Sequence, residues 1–176
     1  TEDTSTTSTV EVTPAVNTLT YSANKRTLFC NWTTAQTFAQ IAANHSNISA
    51  MARYNSTLGM QVYVTGFSYN SNLQISANEP VFMYVNKATT YSVSVLSGSE
   101  VIPANAWKYV ALRETTSKTI TKINDSITAD GCAVSYIGAW NSTANAYTTT
   151  GSYSVSPNEG FALYCSTGCT WDGTVP

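Results

Sequence analysis

The sequence predicts a mainly β, sandwich-like fold of two tandem duplicated units, each with one short α-helix, preceded by an N-terminal extended strand. Three observations predict it. One pattern of short apolar segments occurs twice, turns rich in Asn, Ser, Thr and Gly separate those segments, and helical spacing is confined to one short stretch per copy. Ile41 to Thr57 (IAANHSNISAMARYNST) lies without a gap on Ile127 to Thr143 (ITADGCAVSYIGAWNST), and Gln74 to Tyr84 (QISANEPVFMY) lies on Ser154 to Tyr164 (SVSPNEGFALY). The offset falls from 86 in the first block to 80 in the second, so one loop of the later copy is six residues shorter. The chain therefore divides into a tail, residues 1–16, a first unit, residues 17–98, and a second, residues 99–176.

Each element has its own justification. A strand near Arg26 to Asn31, or Tyr109 to Arg113, leads to a hydroxyl cap and a helix. In the second copy Ile120, Ile123 and Ile127 fall on one helical face; in the first, Thr34 is the expected cap, with Phe38 and Ile41 facing inward. A polar turn follows, then the strand SAMARY or SYIGAW, which ends at an N-S-T turn. Its expected hairpin partner is Gln61 to Thr65, or Ala146 to Thr150. An N-E-P or N-E-G turn then feeds VFMYV or FALYC, apolar enough to be buried on both faces. ATTYSVSVL closes the first unit by alternation, with Tyr91, Val93 and Val95 on one side.

Composition narrows the function. Charged residues make up 10% of the chain and the net charge is −2, whereas Ser and Thr together number 49 and Asn 15. Eight Lys and Arg against ten acids supply no basic stripe, which excludes a nucleic-acid partner. No apolar run approaches the roughly 20 residues of a membrane-spanning helix. The 43% of hydrophobic residues, among them eleven tyrosines, supply a core.

Cys30, Cys132, Cys165 and Cys169 form an even set in a chain with one histidine, an argument against zinc and for disulfides in an oxidising compartment. The C-S-T-G-C spacing suits a tight hairpin, giving Cys165–Cys169 and, by elimination, Cys30–Cys132 as the preferred pairs among three connectivities. N-x-S/T sequons at Asn31, Asn44, Asn47, Asn55, Asn124 and Asn141 point to an exported glycoprotein carrying N-linked glycans. The polar start TEDTSTTST reads as a mature terminus after removal of a signal peptide.

The series aromatic-N-S-T, then Gly, then S-x-N-E-G-F-x-L-Y resembles repeat modules of cell-surface and secreted proteins of archaea and some thermophilic bacteria. The organisation resembles that of strand-donating archaeal thread and pilus subunits. The likeness implies packing roles for Gly160, Phe161 and Tyr164, an extracellular structural or adhesive role, and no catalytic residues; the first copy departs from it with Pro80 in place of Gly.

Within the tail, Thr9-Val10-Glu11-Val12-Thr13 alternates like a strand, with Val10 and Val12 on one face. Such a segment completes a sheet, either at the edge of its own first unit or in a neighbouring copy; donation to a neighbour builds an open filament. Catalytic sets are not expected. His45 sits in the middle of a sequon, Glu79 and Glu159 occupy equivalent turns and suit turn stabilisation, and Asp125 and Asp130 near a helix end lack a calcium-loop pattern. No cofactor is implied. Trp32, Trp107, Trp140 and Trp171 lie beside strands or caps, where packing is the first expectation and a sugar platform the second. The leading expectation is a structural subunit of a glycosylated extracellular filament made of copies of itself. A secreted carbohydrate-binding or adhesive module, or a surface-layer lattice, is the alternative.

Overall fold

Alternating apolar and polar residues build antiparallel sheets, and the computed structural model, which describes residues 16–55 and 57–176, orders them the same way twice. The first unit runs β1 (Val16–Tyr21), β2 (Lys25–Phe29), β3 (Gln36–Thr37), α1 (Phe38–Asn44), β4 (Ile48–Asn55), β5 (Gly59–Val64), β6 (Gln74–Ile75), β7 (Val81–Val85) and β8 (Thr89–Ser94). The second runs β9 (Glu100–Ile102), β10 (Ala106–Ala111), β11 (Lys118–Thr119), α2 (Ile120–Ala129), β12 (Ala133–Asn141), β13 (Ala146–Thr148), β14 (Ser154–Val155), β15 (Gly160–Thr167) and β16 (Cys169–Trp171). Each unit holds a four-stranded sheet, β2-β7-β4-β5 or β10-β15-β12-β13, and two small ones, β1-β8 with β3-β6 or β9-β16 with β11-β14. The fold is mainly β and sandwich-like, with two helices. The expected assembly strand, Thr9, Val10, Glu11, Val12 and Thr13, lies outside the described residues.

Both helices begin on a threonine that ends a two-residue strand. The Thr37 hydroxyl accepts from the Gln40 N–H at 3.2 Å, and the Gln40 side chain accepts from the Thr37 N–H at 2.8 Å, a reciprocal capping box. Thr119 caps α2 by accepting from the Lys122 N–H at 3.4 Å. The expected cap Thr34 is exposed: the T-x-x-Q frame that lets both groups bond begins three residues later. Phe38 and Ile41 of α1 and Ile120, Ile123 and Ile127 of α2 are buried, as their spacing predicts. They cover the inner faces of the large sheets. In the first unit Phe29, Met51, Tyr63 and Met83 meet α1 and the pair Tyr91 and Val93 of β8; in the second, Val110, Phe161 and Leu163 meet α2 and Trp171.

The cysteine pairing differs from the expectation. Cys132 is bonded to Cys169, with Cα atoms 5.0 Å apart, while Cys30 and Cys165 are buried and unbonded. The reason lies at Gly168, where the chain passes so close to β9 that a Cβ would sit 2.6 Å from the Ile102 carbonyl oxygen and 2.7 Å from the Ala104 nitrogen. That crossing ends the run along β15 and turns β16 onto β9, with Cys169 opposite Ile102. Cys165 and Cys169 therefore lie in different sheets and do not face each other. Cys30 is enclosed in the first unit's core, where burial pushes its thiol up to about 12.

One residue fastens the two units. Asn158 is fully buried in the left-handed region (φ 64°), a conformation asparagine tolerates. Its Nδ2 donates to the carbonyls of Cys30 at 2.9 Å and Ser94 at 3.0 Å; its backbone N–H donates to Leu112 and its carbonyl accepts from the Cys30 N–H. The next turn positions are set by Glu159, whose carboxylate accepts from the Ser156 N–H at 2.8 Å, just as Glu79 accepts from Ser76 at 2.9 Å in the first unit. Burial raises the Glu159 carboxyl above its ordinary value, opposed by the Ser156 N–H. Gly160 follows, with Leu28 and Pro80 of the first unit filling the space a Cβ would need. Gly160 and Phe161 are thus packing residues, Phe161 inside the core and Gly160 between the units.

Candidate functional site

The outer faces of the two large sheets pack against each other through aromatic rings. Phe82 of β7 meets Trp140 of β12 at 5.1 Å between centroids, Tyr109 of β10 at 5.9 Å and Tyr147 of β13 at 6.3 Å, each ring edge to face. Tyr54 of β4 meets Tyr109, and the Trp140 indole N–H donates to the Arg26 carbonyl at 3.0 Å. The overlap is partial. Beyond Phe82 and Trp140 the outer face of the first sheet stays open as a groove of about 540 Å³, floored by Ala50 and Ala52 and bordered by Met60, Val62, Tyr84 and Arg26.

The groove continues onto an edge strand. On β5, Met60, Val62 and Val64 are exposed by 52%, 42% and 42%, at positions where a solvent-facing strand ordinarily carries polar residues. Leu58, Phe67 and Tyr69 extend this apolar surface on the flanking loops. β5 pairs with β4 on one side; on the other, the Asn70 amide takes the Val62 carbonyl at 2.8 Å. An exposed apolar edge of this kind has the chemistry that strand addition uses.

The second unit shows what ordinarily fills this place. By strand register Ala50 corresponds to Tyr136, Ala52 to Gly138 and Tyr84 to Tyr164. There Tyr136 lies over Gly138, its hydroxyl 2.6 Å from where a glycine Cβ would stand, and Trp107 meets the rings of Tyr136 and Tyr164 at 5.0 and 5.5 Å. Aromatic side chains of the same unit thus cover the face. In the first unit Ala50 stands in place of Tyr136 and Arg26 in place of Trp107, and the depth this leaves is the groove.

Of the sequon residues, Asn44 is exposed and Asn31, Asn47, Asn55, Asn124 and Asn141 are half-buried; none lines the groove. The Asn31 amide donates to the Ser92 carbonyl at 3.4 Å, and the next residue, Trp32, is buried. Asn55 and Asn141 use their side-chain oxygens to hold equivalent turns, accepting from Thr57 and Leu58 and from Thr143 and Ala144 at 2.9 to 3.0 Å. Trp171 is buried with Trp32, Trp140 stands between the units, and Trp107 is 43% exposed. His45 is half-buried with its ring 4.8 Å from that of Tyr91, and burial lowers its pKa. Asp130 accepts from the Asp172 N–H, which ties the C-terminal segment to the end of α2. Among the described residues no group of three or more His, Cys, Asp or Glu could hold a metal ion, and no helix is long and apolar enough to cross a membrane.

The groove is the feature that sequence reasoning missed. Its signal was present in L-G-M-Q-V-Y-V-T-G-F-S-Y, where Met60, Val62 and Val64 alternate onto the face opposite the buried Tyr63. No protein-family model, curated protein or solved structure matches the chain.

Proposed function

We propose that this chain is a non-catalytic structural subunit of a glycosylated extracellular filament, polymerised head to tail. The apolar groove beside the edge of β5 that no strand among the described residues covers, where an incoming strand would displace the Asn70 amide from the Val62 carbonyl, carries the reading. The occupant is residues 9–13 of a neighbouring copy: Val10 and Val12 stand two residues apart, as do Met60 and Val62, so in a strand added along β5 their side chains share that spacing of roughly 6.6 Å. Main-chain hydrogen bonds supply affinity, and the valines pack against Met60 and Val62 at the border of the groove. The low charge of the chain, 10% of residues, keeps repulsion between copies small. A donor segment and an acceptor groove are different surfaces, so the contact does not close and the product is a thread.

Deleting residues 1–13 leaves a folded, monomeric chain, checked by sedimentation and electron microscopy. The single substitution Val62→Lys, at an exposed position, gives the same loss of assembly with little change in thermal stability. Polymerisation of either variant to the same length as the parent rules out strand donation along β5.

A further inference from the structure

A second cleft, of about 420 Å³, lies between the units, within the range of small-ligand sites. One wall is the end of β4, with Arg53 and Asn55, and the other is β10, with Trp107 and Lys108. Trp107 is exposed by 43%, yet its ring is held by Tyr136 and Tyr164, so it presents a fixed apolar surface rather than a mobile one. Each charged side chain around it already has an ionic or hydrogen-bonding partner. Arg53 faces Glu79 at 3.6 Å and donates to the Gln74 carbonyl at 2.7 Å, and Lys108 pairs at 2.8 Å with Glu100, a carboxylate it shares with Arg113. A cleft whose charged groups are already partnered, with many hydrogen-bonding edges and one rigid indole, offers no free ion-pairing group. It suits a neutral polyhydroxyl ligand whose C–H face lies on the ring.

The chain carries a source of that ligand at the mouth of the cleft. Asn55 lines it and begins the sequon N-S-T, and its side-chain oxygen is fixed by the N–H groups of Thr57 and Leu58, both at 2.9 Å, which sets the plane of the amide that would bear a sugar. The duplicate offers a comparison within the molecule. Asn141 holds the same turn but lines neither cleft, and the place of Trp107 is taken in the first unit by Arg26, which sits opposite Tyr84 as Trp107 sits opposite Tyr164.

We propose that the first sugars of a glycan on Asn55 fold back in cis into this cleft, with one pyranose ring packed on Trp107. The proposal rests on the glycoprotein part of the function proposed above and is independent of filament assembly. The test uses the full chain produced in a host that glycosylates N-x-S/T sites, with occupancy of Asn55 and Asn141 established by mass spectrometry of their peptides. Thr57→Ala abolishes the sequon while leaving Asn55 and its turn in place, and Thr143→Ala does so for Asn141. In the parent chain Thr57→Ala lowers Tm by on the order of 3 °C and alters tryptophan fluorescence. In a Trp107→Ala background, or in Trp107→Arg if the alanine variant folds poorly, the same change has no effect on either reading. Thr143→Ala acts equally with and without Trp107. Additive effects of Thr57→Ala and Trp107→Ala with Asn55 occupied overturn the proposal, as does an unoccupied Asn55. If all six acceptors are bare, the glycoprotein reading falls with it, whereas occupied acceptors and additive effects leave that reading standing.

Discussion

Replacing Asn158 by alanine tests how the two units are held. The side chain makes two hydrogen bonds to carbonyls of the first unit, a buried one to Cys30 and a part-buried one to Ser94, each contributing about 1 kcal/mol net. Alanine also has to adopt the left-handed backbone that asparagine holds at φ 64°, at a cost of about 1–2 kcal/mol. The sum is roughly 3–4 kcal/mol, a large share of a stability on the order of 5–15 kcal/mol. Asn158→Gly keeps the backbone and loses the amide, so it should cost about 2 kcal/mol. The duplicate supplies a control: Asn78 has the same conformation (φ 59°), but its amide reaches the Ser97 carbonyl only at 3.5 Å, so Asn78→Ala should cost about 1–2 kcal/mol. Urea unfolding at fixed protein concentration, followed by tryptophan fluorescence, ranks the three. If Asn158→Ala costs no more than Asn78→Ala, the amide bonds between the units carry no net free energy and the reasoning fails.

Three further outcomes follow from the same contacts. Gly160→Ala places a methyl against Leu28, with Leu28 Cδ2 at 2.8 Å and Pro80 Cβ at 3.0 Å, and should cost about 1–3 kcal/mol by overpacking, read as a lower urea midpoint. Alkylation in denaturant without reductant should label Cys30 and Cys165 and leave a Cys132–Cys169 cross-linked peptide; Cys169→Ser should then cost up to about 4 kcal/mol on the chain-entropy model, given the separation of 37 residues. Burial raises the folded-state pKa of Glu159, so its neutral form favours the fold, and stability present below the ordinary carboxylate value is lost as pH rises through the folded pKa. Glu159→Gln keeps the acceptor for Ser156 and should gain stability over the parent as pH rises above the ordinary carboxylate value, whereas a constant difference between the two would show that folding does not shift the carboxyl's pKa.

The strands, the helical faces and the N-E turns were legible because each depends on residues close in sequence. Ile120, Ile123 and Ile127 need only a 3.6-residue period, and Glu79 and Glu159 bond residues three positions back. The ungapped alignment of Ile41 with Ile127 was misleading for an instructive reason. The caps Thr37 and Thr119 are 82 residues apart, whereas Met51 and Ile137, which take the same place in their sheets, are 86 apart. Four extra residues are close to one turn, so an added turn returns the same face inward and the apolar pattern survives the shift. The cap at Thr37 was within reach of the sequence, since glutamine three residues on is the second half of a capping box. The disulfide was not, because it depends on β16 leaving β15 for β9 at Gly168. The apolar face of β5 was within reach of the sequence but the depth of the groove was not, because alanine at position 50 means a cavity only once β4 is known to lie beside β5 and β7 with that face uncovered.

The aromatic cover on the second unit also bears on how a duplicated gene avoids runaway association. Two identical copies, each with an open outer face, could stack on further copies without limit, which is why arrays of repeats ordinarily end in a modified terminal member. Here Trp107, Tyr136 and Tyr164 give the second unit that character. On the head-to-tail reading proposed above they make the second unit the closed partner and leave the first unit's groove, among the described residues, as the acceptor, which gives such a thread a direction.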